Sequence, residues 1–125
     1  MFRTILLSLV AILGGASAPA NGLGAGAWRL ESIDAQPFAL TATLEIGTDG
    51  RISGAAPCNR WFARGPGLDG ALFGPIGSTK RACDGLGEEL RFLGLLAAMT
   101  AAQTSADRLV LTGEGHEMVF VPLAE

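Results

Sequence analysis

From residue 27 onward the chain runs in short stretches of alternating apolar and polar positions, broken by Gly, Pro and Asp. Ala27 to Ile33 puts Trp28 and Leu30 on one face and Arg29 and Glu31 on the other. That is the two-residue period of a half-buried strand. Asp34 to Pro37 reads as a turn. Thr41 to Ile46 alternates again, with Ala42, Leu44 and Ile46 expected inward and Thr41, Thr43 and Glu45 outward. Thr48-Asp49-Gly50 is a hairpin signal, because Gly accepts the positive φ of a tight turn. Arg51 to Gly54 then returns as the partner strand. Ala55-Ala56-Pro57 interrupts it, since Pro has no N–H to give a ladder. Asn59 to Ala63 is expected as another short strand. Gly65-Pro66-Gly67 and Leu68-Asp69-Gly70 are loop. The apolar run Ala71 to Ile76 is broken by Gly74-Pro75 and predicts at best a bent edge strand.

A helical period occurs once, over Gly85 to Met99. Leu86, Leu90, Leu93 and Ala97 fall at i, i+4, i+7 and i+11, with Leu96 beside them, and form the expected core face. Asp84 suits the N-cap. Glu88 and Glu89 occupy the first turn, where the helix dipole favours acids. Gly94 in mid-helix costs about 1 kcal/mol relative to Ala and predicts close packing on a sheet. A short strand is expected at Ala102 to Thr104. A last hairpin, Arg108 to Thr112 and Glu117 to Val121, turns at Gly113-Glu114-Gly115-His116. Strands, one helix and more strands, joined mostly by hairpin-length links, predict an α+β, mainly antiparallel β domain. The expected shape is a small cracked β-barrel or strongly curved sheet with one covering helix.

The N-terminus follows neither period. Met1-Phe2-Arg3 carries one positive charge, Thr4 to Leu13 is almost wholly apolar, and Gly14 to Ala20 is rich in small residues. This is the layout of a secretory signal peptide over residues 1–20. The apolar run is about half of the ~20 residues a membrane span needs. Cleavage after Ala20 avoids placing Pro19 beside the scissile bond. Residues 21–26 are expected as a flexible lead-in and 27–123 as the folded domain. The mature chain is therefore expected in the periplasm or secreted, with no transmembrane segment. At 125 residues with 49% hydrophobic content there is material for one core. A net charge of −3 without a basic block argues against nucleic acid as a partner.

The order of motifs resembles the META domain family, typified by HslJ-like heat-shock proteins. Trp28-x-Leu30-x-Ser32-Ile33 is similar to the family's opening strand. Gly50-Arg51-Ile52-Ser53-Gly54 followed by Cys58-Asn59-Arg60 is similar to its Ser-Gly and Cys-Asn segment. Ser78-Thr79 with Ala82-Cys83 is similar to its Thr-x-x-Ala-Cys segment. Glu89-x-x-Phe92-Leu93-x-x-Leu96 is similar to its helix, and Asp107-x-Leu109-x-Leu111 to its closing strand. The chain departs from the family at Pro57, where Gly is usual, and at Arg81, where Met is usual. The resemblance implies a small cracked β-barrel with a helix, structural roles for Trp28, Gly54, Asn59, Thr79 and Glu89, and envelope or secreted proteins linked to stress, antibiotic tolerance, motility or virulence. It implies no particular reaction.

The candidate chemistry is sparse. Cys58 and Cys83 admit two readings, a redox or metal pair and a disulfide. Their wide spacing lacks the close ligand pairs of a zinc site, and an even count in an exported chain favours the disulfide. Asn59, Ser78 and Thr79 are expected to bond nearby backbone groups. His116, the single histidine, is expected as a solvated turn residue, so no Ser/His/Asp arrangement is supported. Asp84, Glu88 and Glu89 read as helix-start charges rather than paired acids. Arg60, Arg64, Lys80 and Arg81 flank the cysteines. If the two segments meet, these cations form a patch for an anionic lipid or partner surface; otherwise they are solvated charges. Trp28, Leu44, Trp61 and Phe120 line a small cavity or simply fill the core. The expectation is a monomeric, non-enzymatic domain with no catalytic residue, metal or cofactor, binding a small hydrophobic ligand or an envelope protein. The alternative is a hydrolase or redox enzyme using the Cys58/Cys83 region.

Overall fold

The computed structural model describes residues 23–123. Nine strands build one antiparallel sheet: β1 (Gly26–Ile33), β2 (Gln36–Pro37), β3 (Thr43–Ile46), β4 (Arg51–Ala55), β5 (Arg60–Arg64), β6 (Gly77–Ser78), β7 (Ala101–Thr104), β8 (Leu109–Gly113) and β9 (His116–Pro122). Among the described residues one helix, α1 (Leu86–Ala98), lies between β6 and β7 in the chain. The spatial order is β6-β5-β4-β3-β1-β9-β8-β7, with β2 paired to β1 off this path. The expected α+β fold is therefore present as a curved sheet that does not close, ending at β6 on one side and β7 on the other. The expected signal peptide and the first two residues of the expected lead-in lie outside the described residues. From Leu23 the expected flexible lead-in is instead part of the domain, because Leu23 is buried in the core and Gly26 already pairs with Ile46.

The segment expected as a bent edge strand, Ala71 to Ile76, forms no strand. Leu72 and Phe73 turn into the core, and their backbone bridges the gap in the sheet. The Leu72 N–H donates to the Met99 carbonyl (3.0 Å) at the end of α1, and the Gly74 N–H donates to the Arg64 carbonyl (2.6 Å) on β5. Irregular backbone at a sheet opening needs such partners, since a buried unpaired amide is costly. Trp61 is the hub of the packing. Its ring stands edge-on to Phe73 (6.2 Å) and to Phe92 of α1 (6.1 Å), a favoured geometry for aromatic pairs. Leu44, Trp61, Phe92 and Phe120 are fully buried in one cluster that also holds Trp28. These side chains are packed core rather than the lining of a hollow.

Four sequence expectations change in the packed structure. Thr43, expected outward, is buried, and its Oγ1 accepts the Ala55 N–H (2.8 Å) across the β3–β4 pair. The helix presents Glu89, Phe92 and Leu96 inward, while Leu90 is 64% exposed. The face is rotated from the leucine stripe because Phe92 and Glu89 both have partners in the sheet layer. Its N-cap is Gly85 with no side-chain cap, so Asp84 does not serve there, and a Cβ on Gly94 would meet nothing within 4 Å. Close packing is not what places that glycine.

Candidate functional site

Gly54 shows how the sequence builds the site. It faces Trp61 across the β4–β5 ladder. A Cβ there would stand 2.0 Å from the Thr43 carbonyl oxygen and 2.8 Å from Trp61 Nε1. Only Gly leaves the indole N–H free to reach Thr43 O, which it does at 3.0 Å. This anchors the start of β5, and the corner Pro57-Cys58-Asn59 just before it projects toward the helix. Trp28, on β1, is buried in the core. Among the described residues its indole N–H has no acceptor.

The two cysteine segments meet. Cys58 and Cys83 form a disulfide with Cα atoms 5.6 Å apart. Beside it, Asn59 and Thr79 build a polar junction. Asn59 Nδ2 donates to the Arg81 carbonyl (2.8 Å), and Asn59 Oδ1 accepts the Arg81 N–H (2.6 Å). The side chain thus matches one residue's backbone at both groups, so Arg81 serves through its main chain while its side chain is exposed. The Thr79 hydroxyl donates to Asn59 Oδ1 (2.9 Å) and accepts the Arg60 N–H (3.1 Å).

Glu89 closes the junction from the helix. It is 2% exposed. Its Oε1 accepts the N–H groups of Cys58 (2.7 Å) and Asn59 (2.9 Å), and its Oε2 accepts Asn59 Nδ2 (2.6 Å). Glu89 is therefore more than the helix-start charge expected alongside Glu88: Glu88 is exposed and Glu89 is buried as an acceptor. The corner before β5 has amides that no strand partner satisfies, and a carboxylate is the side chain that takes several donors at once. Asn59 uses both amide hydrogens and its carbonyl oxygen, and Thr79 both donates and accepts. The junction joins the start of β5, the segment 79–81 and α1.

The four cations expected as a patch divide between two neighbourhoods. Arg60 and Lys80 lie near each other, because the Thr79 N–H donates to the Arg60 carbonyl and the Thr79 hydroxyl accepts the Arg60 N–H. Arg64 sits at the far end of β5, opposite Arg51 of β4. Arg51 was not among the expected residues, since the β4–β5 register depends on the length of the corner between them. His116 is also more than a solvated turn residue. Its Nδ1 lies 2.7 Å from Asp34 Oδ2, and Asp34 Oδ1 accepts the Glu117 N–H (2.8 Å). Those bonds, the His116 bond first, hold the Asp34 carboxyl below its ordinary range. The pair is half-exposed and ties the β1–β2 turn to the β8–β9 turn. Among the described residues, no group of three or more His, Cys, Asp and Glu is arranged to hold a metal ion, and no helix is long and apolar enough to cross a membrane.

The META domain family profile matches residues 21–125. Two solved structures share the fold. One is a protein determined by NMR, 20% identical, covering 77% of this chain and 87% of its own, with a TM-score of 0.59. The other is a DUF4847 family protein from Bacteroides vulgatus ATCC 8482, 12% identical, covering 85% and 96%, with a TM-score of 0.61. At these identities the likeness is one of fold. No protein of curated function matches the chain.

Proposed function

Because the chain belongs to the META domain family, we propose that it is a non-enzymatic envelope domain that supports stress or antibiotic tolerance by binding, and that it binds at its surface. One observation carries this reading: the polar side chains of the family signature are engaged with one another. Glu89, Asn59 and Thr79 direct their acceptors and donors into a single internal junction. A general base or nucleophile has to present a free lone pair or an activated proton to a substrate. The junction instead stabilises the domain, and the Cys58–Cys83 disulfide is compatible with an extracytoplasmic location.

The binding surface follows from charge. Residues 51–83 contain five cations and one acid, a net of +4, whereas the rest of the chain has four cations and eleven acids, a net of −7. A basic region on an acidic protein attracts anionic partners. The test is cellular. Cells producing the full chain are fractionated, and the mature chain is expected in the envelope or medium, beginning near Asn21 and oxidised. Arg60→Gln with Lys80→Gln is expected to fold yet fail to restore heat or antibiotic tolerance to a deletion strain. A full-length cytoplasmic chain with free thiols, or full rescue by the charge variant, overturns the proposal. A redox reading has one observation in its favour: Cys83 is exposed, and its sulfur accepts the Gly85 N–H (3.4 Å) at the helix start. Tolerance lost in a Cys58→Ser, Cys83→Ser variant that remains folded would support it.

A further inference from the structure

The outer face of β4, β5 and β6 holds a groove that the family signature does not explain. Arg60, Phe62 and Arg64 alternate along β5 with inward Trp61 and Ala63, so all three face outward. Phe62 is 51% exposed. Its ring is nonetheless pinned, because Phe62 pairs with Gly77 of β6 and a Cβ on Gly77 would stand 2.5 Å from Phe62 Cε1. The ring lies in the space that a side chain at residue 77 would need. Beside it, Phe62, Pro75, Ile76 and Gly77 line a surface groove of about 760 Å³, together with Arg51 and Arg64. That volume is within the range of small-molecule sites.

The arginines are the telling feature. Arg51 and Arg64 are direct cross-strand partners. Like charges in that position repel and destabilise the pair. Asp49 forms an ion pair with Arg51, at 3.5 Å from Nε, and makes only a weaker, unpaired attraction to Arg64. Glu45, on β3, faces Ser53 of β4, so a whole strand separates it from Arg64 on β5. Neither acid lines the groove. An anion seated between the two guanidinium groups relieves their repulsion and gains charge-assisted hydrogen bonds.

The geometry points to a binding site for an amphiphilic anion: a phosphate or carboxylate head held between Arg51 and Arg64, with an apolar body against Phe62, Pro75 and Ile76. This rests on the binding reading above and names its ligand class. The head group comes either from a free amphiphile or from a lipid in a bilayer.

The test titrates the purified, oxidised chain with decyl phosphate, decanol and inorganic phosphate while amide shifts are followed by NMR. Decyl phosphate is expected to shift Ser53, Phe62, Ala63, Ile76 and Gly77. Decanol and inorganic phosphate are expected to bind on the order of tenfold more weakly, since each has only one half of the recognised chemistry. Arg51→Gln, Arg64→Gln and Phe62→Ala are each expected to weaken binding about fivefold, with Arg64→Lys retaining part of it and Arg108→Gln unchanged. Sedimentation with phosphatidylcholine vesicles, with and without phosphatidylglycerol, identifies the source. Arg64-dependent binding to anionic vesicles alone assigns the site to bilayer headgroups, and binding to monomeric decyl phosphate assigns it to free amphiphiles. Equal affinity for decanol, wild-type affinity in the Arg51 and Arg64 variants, shifts that map elsewhere, or no binding in either arm overturns the assignment. That failure leaves the cellular result for Arg60 and Lys80 standing, so the two readings fail separately.

Discussion

Removing the Glu89 carboxylate tests whether the junction holds this domain together. In Glu89→Ala, three donors lose their acceptor: the Cys58 N–H, the Asn59 N–H and Asn59 Nδ2. A buried donor left unsatisfied costs about 1–3 kcal/mol. Asn59 is buried, whereas Cys58 is half-buried and gains partial relief from water. Losing an acid from the first turn adds about 0.3–1 kcal/mol. Relief from burying a charged group offsets some of this. The net expectation is on the order of 3–5 kcal/mol, a large fraction of the ~5–15 kcal/mol typical of a domain. Urea unfolding of the oxidised protein measures it, and a thermal scan should show a Tm lowered by roughly 10–20 °C. Glu88→Ala, one position away on the exposed side, is expected within about 0.5 kcal/mol of wild type. Glu89→Gln should fall between the two. Its amide keeps an oxygen for the two backbone donors but sets an NH₂ against Asn59 Nδ2. If Glu89→Ala is no more destabilising than Glu88→Ala, Glu89 is a surface charge and the junction argument fails.

Two further outcomes are expected. Cys58→Ala or Cys83→Ala should cost about 3–4 kcal/mol in the chain-entropy account of a crosslink 25 residues apart, and only against the oxidised wild type; equal melting with and without reductant would show that the bond is not stabilising. Asp34→Asn keeps the positive φ of the turn, which Asn tolerates, while removing the charge that faces His116. Because the folded-state pKa of Asp34 lies below its ordinary 3.8, the carboxylate's contribution is full above that value and is lost as pH falls through the lowered one. The gap in Tm between wild type and Asp34→Asn should therefore be present near neutral pH and vanish in acid, and a gap that does not change with pH would refute the pairing.

Much of the architecture was legible because short strands carry their own signal. The alternation of Trp28 and Leu30 with Arg29 and Glu31 locates β1, and Asp49-Gly50 locates the β3–β4 turn. The helix boundaries are within a residue or two of the predicted ones. Its facing was not legible, because Leu86, Leu90 and Leu93 outvote Phe92 in a hydrophobic count. What turns the helix is a polar demand, the three donors at Cys58 and Asn59 that only Glu89 meets. Thr43 was misplaced for a related reason. Alternation assigns a polar residue outward unless a distant amide, here Ala55, requires its hydroxyl. Arg51 escaped notice because its pairing with Arg64 depends on the register across the Ala56–Asn59 corner.

By itself the sequence determined what neighbouring residues can enforce: strand and helix periods, and turns that need Gly. It also carried the ordered motifs that mark the META domain family. Only the tertiary structure decided which side chains meet. The Cys58–Cys83 crosslink, the capture of Asn59 by the Arg81 backbone, the burial of Glu89 and the Arg51–Arg64 pair all join residues from 13 to 31 positions apart. Such contacts are selected by satisfaction of buried donors and by strand register, which are properties of the packed chain and leave no period in the sequence.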